Sequence, residues 1–142
     1  MKKLLRYKVY GNNGIRKYAL FPIPYTLFLI PLFLILSCRK EGPGGKALIN
    51  GTVKHTTAPI AGAVVYIKYG AKESPGSDVT YYDNSVTADA QANYKFADLK
   101  RGSYYLFAVG FDSSIVQTVT GGVAVEINSK TETVQADVQV QP

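Results

Sequence analysis

Beyond residue 46 the chain alternates apolar and polar side chains with a period of two, the signature of strands that bury one face and wet the other. The C-terminus shows it most plainly: Val134, Ala136, Val138 and Val140 alternate with Gln135, Asp137, Gln139 and Gln141. Val123, Val125 and Ile127 alternate in the same way with Ala124, Glu126 and Asn128. Upstream, residues 48–54, 63–69, 79–87, 94–99, 103–111 and 115–120 are rich in β-branched and aromatic side chains. Turn formers separate them: Ala58-Pro59, Gly70, Ser74-Pro75-Gly76-Ser77, Lys100-Arg101-Gly102 and Gly121-Gly122. No segment holds the three-and-four spacing of an amphipathic helix. The pattern predicts an all-β fold, a single antiparallel β-sandwich of about seven strands.

The first 37 residues read differently. Residues 19–36 run for eighteen positions without a charge, after a basic stretch carrying Lys2, Lys3, Arg6, Lys8, Arg16 and Lys17. That is the layout of an export signal, expected here to be a signal helix. Eighteen apolar residues also approach the length of a membrane span, about 17 to 25. Pro22, Pro24 and Pro31 argue for the transient signal, because proline removes backbone donors and kinks a permanent span.

The charge balance changes once this leader is set apart. The formal charge of +6 resides in it: six of the sixteen basic residues lie there with no acid, leaving ten basic against ten acidic side chains beyond it. A nucleic-acid partner needs a basic stripe on the folded domain, and a neutral domain offers none. With one cysteine, the chain can form neither an internal disulfide nor a thiolate metal cluster.

That cysteine, Cys38, follows the apolar run directly. Ile35-Leu36-Ser37-Cys38 resembles a lipobox, the motif cut by the lipoprotein signal peptidase. The resemblance implies that Cys38 receives diacylglycerol, becomes the first residue after cleavage and carries a further acyl chain such as palmitate on its amino group. Ile35, Leu36 and Ser37 would then be the peptidase recognition residues. Two or more acyl chains hold a protein stably on a membrane. The expected organisation is a signal peptide at 1–37, a flexible tether at 38–46 and a β-domain at 47–142. Arg39 stands where some inner-membrane lipoproteins carry aspartate, so the outer membrane is the expected location.

Within the domain, Gly51-Thr52-Val53, Pro59 to Val65, Thr87-Ala88-Asp89, Tyr94-Lys95-Phe96 and Leu99 to Ala108 resemble the carboxypeptidase regulatory-like domain. The resemblance implies a prealbumin-like, transthyretin-like sandwich and specifies a fold far more than a function. Gly51 and Gly62 are expected near strand ends, Gly102 in a turn with positive φ, and Tyr104, Leu106 and Ala108 on one inward face. Ala92 stands where such domains usually place a turn glycine, with Asn93 expected to take the left-handed conformation instead. The whole resembles lipoproteins of Bacteroidota-like bacteria, which implies a partner protein in envelope transport.

Little points to catalysis. The single histidine, His55, is expected in an exposed loop, and acid–base chemistry needs a base beside its nucleophile. The hydroxyisourate hydrolase branch of the transthyretin family uses several histidines, which this chain lacks. No catalytic residue, metal ligand set or cofactor is therefore expected. Asp78, Asp83, Asp89, Asp98 and Asp112 match no EF-hand spacing, so turn capping is their plainest role against calcium binding. A Lys–Asn cross-link would draw on Lys54, Lys68, Asn128 and Glu126, which form no recognisable motif. Eleven tyrosines, among them the pairs Tyr81-Tyr82 and Tyr104-Tyr105, open a glycan-binding reading, since one ring of each pair should face outward from a strand. The expected partners are the membrane through Cys38 and an envelope protein or glycan.

Overall fold

A computed structural model describes residues 40–142. The signal segment and the expected site residues Ile35, Leu36, Ser37 and Cys38 lie outside the described residues.

One long strand organises the first sheet. β1 (Pro43–His55) pairs antiparallel with β2 (Ala58–Pro59) and with β5 (Asn93–Leu99). Along its other edge β1 meets β8 (Thr133–Gln135) and β9 (Val138–Gln139), both parallel to it. The second sheet has the order β4-β3-β6-β7, all antiparallel, from β3 (Val64–Tyr69), β4 (Asn84–Thr87), β6 (Gly102–Asp112) and β7 (Gln117–Ile127). The two sheets face each other as the expected all-β sandwich.

The period-two pattern explains the core. Ile49 and Val53 of β1 and Tyr94, Phe96 and Leu99 of β5 turn inward from the first sheet. Val65 and Ile67 of β3, Tyr104, Leu106 and Ala108 of β6, and Val119, Val125 and Ile127 of β7 meet them from the second. Ala136, Val138 and Val140 complete this core. Burying a side chain of this size contributes about 1.5–3 kcal/mol, so alternation alone fixes which face of each strand turns inward.

Four local expectations are revised. Residues 43–46, expected as tether, are already part of β1, and the Gly42 N–H donates to the buried Tyr104 hydroxyl at 3.1 Å. The segment 79–87 is not one strand: Asp78 caps a single 3-10 turn, Val79–Tyr81, and β4 begins only at Asn84. The two strands expected on either side of Gly121-Gly122 are one continuous β7. There the glycines permit close approach, since a Cβ on Gly121 would stand 2.0 Å from the Gln139 carbonyl oxygen. Finally, Ala92 itself adopts φ 64° where Asn93 was expected to, while Gly102 has the anticipated positive φ.

The strands divide the sandwich into two ends. β1 starts at the near end, beside Leu99, Gly102 and Ile127. At the far end β1, β4 and β6 finish while β3, β5 and β7 begin. Among the described residues no helix is long and apolar enough to cross a membrane.

Candidate functional site

Two regions bring chemistry-bearing side chains together. At the far end, His55 is the last residue of β1, half-buried, not in the exposed loop expected for it. Its Nδ1 lies 2.7 Å from Oδ2 of Asp112, the last residue of β6. The other carboxylate oxygen of Asp112 accepts the Ser114 N–H at 2.8 Å and the Ser114 hydroxyl at 2.6 Å. These bonds from Ser114, together with His55, hold the Asp112 carboxyl down to about 2, because each stabilises the charged form.

Histidine, aspartate and serine thus meet in one place, but their order is wrong for nucleophilic catalysis. A serine is activated when its hydroxyl donates to the imidazole, which then takes the proton. Here the hydroxyl donates to the carboxylate, and the imidazole uses its Nδ1 on the same acid. The network ties the end of one sheet to the end of the other.

The second region is the outward face of the four-stranded sheet. Tyr66 of β3 and Phe107 of β6 are paired in register, and Tyr82 folds back over them. The Tyr82 and Phe107 rings stack with centroids 5.6 Å apart and 19° between planes, while Tyr66 and Tyr82 are 6.0 Å apart and tilted. The Tyr82 hydroxyl donates to the Gly76 carbonyl at 2.8 Å, closing the 70–83 loop onto the sheet. Burial pushes the Tyr82 hydroxyl above its ordinary pKa.

The tyrosine pairs therefore resolve in different ways. Tyr104 points inward and Tyr105 outward, as alternation requires, and Tyr105 lies across Gly122, where a Cβ would meet its hydroxyl at 2.6 Å. Tyr81 and Tyr82 are not on a strand: Tyr81 ends the 3-10 turn and is 54% exposed, whereas Tyr82 is spent on packing. The face presents Tyr105 and the outer side of Tyr82 as its aromatic surface.

Three of the aspartates weighed as calcium ligands cap turns or pair with lysine. Asp78 accepts from Thr80, Asp89 from the N–H groups of Gln91 and Asn93, and Asp83 from Lys68 and the Tyr69 N–H. Among the described residues no group of three acidic, histidine or cysteine side chains is placed to hold a metal. Of the lysines weighed for a cross-link, Lys54 pairs with Asp137 and Lys68 with Asp83, each at 3.0 Å. A shallow cleft of about 400 Å³ over β5 is lined by Asn50, Thr87, Asp89, Asn93, Lys95 and Gln135. The Asn50 Oδ1 is buried there without a partner among the described residues.

Asp112 and Ser114 were not linked to His55 by sequence, since 57 positions separate the histidine from the acid. The only local sign was Asp112-Ser113-Ser114, whose aspartate two residues before a serine favours a side-chain-capped turn.

No family model matches the chain. No curated protein matches it either. Among solved structures, a Pseudomonas aeruginosa protein provisionally described as carbohydrate binding aligns at 14% identity and a TM-score of 0.48. That alignment covers 69% of this chain and 90% of the other. The major pilin subunit of Bacillus cereus aligns at 14% identity and 0.47 over 69% of this chain but 30% of its own. Chlorocatechol 1,2-dioxygenase from Pseudomonas putida aligns at 12% and 0.39, covering 76% of this chain and 62% of its own. Likeness at this level carries no function across.

Proposed function

We propose that the protein is a non-catalytic binding module of the bacterial cell envelope, held on the outer membrane by acyl chains on Cys38. The observation that carries this reading is how firmly the chain is held at Gly42, four residues after Cys38. Gly42 is fixed at the near end by Tyr104 and by the Lys100 N–H, which donates to the Gly42 carbonyl at 2.9 Å, and β1 follows at once. Cys38 precedes Lys40 by two residues, a reach of at most about 7 Å when extended. A lipid on Cys38 would keep the near end close to the bilayer and leave the far end and both outer faces to partners. The orientation of the Ser114 hydroxyl, on Asp112 and not on His55, supports a binding role over an enzymatic one.

Metabolic labelling with palmitate tests the anchor. Label is expected in the parent and absent from Cys38→Ala; equal labelling, or none in either, contradicts the reading.

One feature favours a second reading, glycan binding. The ring of Tyr105 lies across Gly122 on the same face as the Tyr82–Phe107 stack, an aromatic surface of the kind on which a sugar ring can rest. Titration against a polysaccharide panel should show binding that Tyr105→Ala removes. A folded protein silent to every glycan would end this reading.

A further inference from the structure

Three loops crowd the far end, and each contains a residue in a conformation it disfavours. Thr56 (φ 55°) sits in the turn between β1 and β2, Ala92 (φ 64°) in the turn before β5, and Val116 (φ 58°) in the tip joining β6 to β7. They are three of the four non-glycine residues with positive φ among the described residues; the fourth, Asp98, is at the near end. For an L-residue such geometry costs about 1–2 kcal/mol, and Thr56 and Val116 are also β-branched. Strain of this kind persists where surrounding structure imposes it, and it gathers at sites of recognition. The surrounding structure here is the His55–Asp112–Ser114 network, which lies immediately beside the turns that hold Thr56 and Val116.

What the strain presents is apolar. Phe111 is 57% exposed, Ile115 39% and Val116 73%, which puts on this one hairpin three of the five large exposed hydrophobic residues among those described. Residues 56–63, 88–92 and 111–119 contain no lysine or arginine. Their only charges are Asp89, tied to its own turn, and Asp112, buried against His55. A tip without cations is ill-suited to anionic lipid or nucleic acid, both of which are recognised through basic side chains. It is also at the opposite end from the chain's entry at Lys40.

We infer that the β6–β7 tip is a preorganised docking element that inserts Ile115 and Val116 into an apolar pocket of a partner protein, with Phe111 at its rim. The inference rests on the proposed role as a binding module and names the surface that role uses. Rigid presentation favours affinity because the loop is ordered before the partner arrives. Buried apolar anchors of this sort concentrate binding energy in a few side chains.

The test is photo-crosslinking of the full-length chain in its own cells. A benzophenone amino acid is placed at Ser113 or Gln117, beside the tip, and at Lys72 or Lys130 as controls. One protein adduct of defined mass, formed from 113 and 117 but not from 72 or 130, is expected. Val116→Ser or Ile115→Ser should reduce it about tenfold, the effect of losing one apolar anchor. The thermal midpoint of those variants should not fall, which separates docking from a merely structural role.

Adducts with phospholipid alone, equal adducts from all four positions, or none from a folded protein would overturn the inference. Intact mass of the same sample reads lipidation separately. A lipidated chain without a tip adduct defeats the docking surface alone, and an unlipidated chain with one defeats only the anchor.

Discussion

His55 Nδ1 and Asp112 Oδ2 stand 2.7 Å apart, joining the last residue of β1 in one sheet to the last residue of β6 in the other. The carboxyl of Asp112 is held at about 2, first by Ser114 and then by His55, against an ordinary value of 3.8. A carboxyl depressed by folding adds stability above its unfolded pKa and loses that stability as pH falls toward the folded value. Stability should therefore decline between about pH 4 and 2. Asp137, also held at about 2 by Lys54 and the Thr52 N–H, adds to the same decline. Acid titrations followed by circular dichroism should show a shallower decline in Asp112→Asn and in Asp137→Asn, with both variants less stable than the parent at pH 7. Unchanged slopes would mean that neither pair is linked to folding.

Tyr104 ties the entry of the chain to the core. Its buried hydroxyl accepts from the Gly42 N–H and donates to the Lys100 carbonyl at 2.5 Å. Tyr104→Phe keeps the ring and strands both partners, at a cost of about 1–3 kcal/mol in chemical denaturation. Amide exchange at Gly42 should accelerate in the same variant. A variant as stable as the parent, with Gly42 still protected, would contradict this role.

Gly51 carries no side chain because the C-terminal segment passes directly over it. A Cβ there would stand 1.8 Å from the Ala136 carbonyl oxygen and 3.0 Å from the Tyr94 hydroxyl, which donates to that same carbonyl. Gly51→Ala has to push β1 and the β8–β9 segment apart, and a loss of about 3 kcal/mol is expected from such overpacking. Normal stability would show that the C-terminal segment packs elsewhere.

Thr56 is the first residue of a two-residue turn between His55 and Ala58, and its φ of 55° suits glycine or asparagine. Thr56→Gly should raise stability by about 1 kcal/mol by removing the left-handed strain. Thr57→Gly, where no positive φ needs relief, should not. Thermal unfolding of the two variants side by side reads the difference.

Much of the sandwich was legible because burial imposes a period of two on each strand. Tyr104, Leu106 and Ala108 face inward as their spacing says, and so do Ala136, Val138 and Val140. What sequence does not carry is which strand lies beside which. Residues 134–140 look like one strand, yet Asp137 breaks the run to bond the Thr52 N–H and Lys54, so β8 and β9 join β1 separately and in parallel. Gly121-Gly122 reads as a turn in isolation and is the place where another backbone comes close. Thr56 and Val116 are residues that local preference would keep out of positive φ, so the far-end loops were visible as loops but not as strained ones. The His55 network depends on a contact between opposite sheets, which no local pattern announces.

The proposed anchor is Cys38, and intact-mass analysis of the detergent-extracted protein, parent beside Cys38→Ala, tests it most directly. The prediction is a chain beginning at Cys38 with the added mass of its acyl groups, a species absent from the variant. An unprocessed chain without added lipid in both would contradict the anchor and leave residues 19–36 as a membrane span.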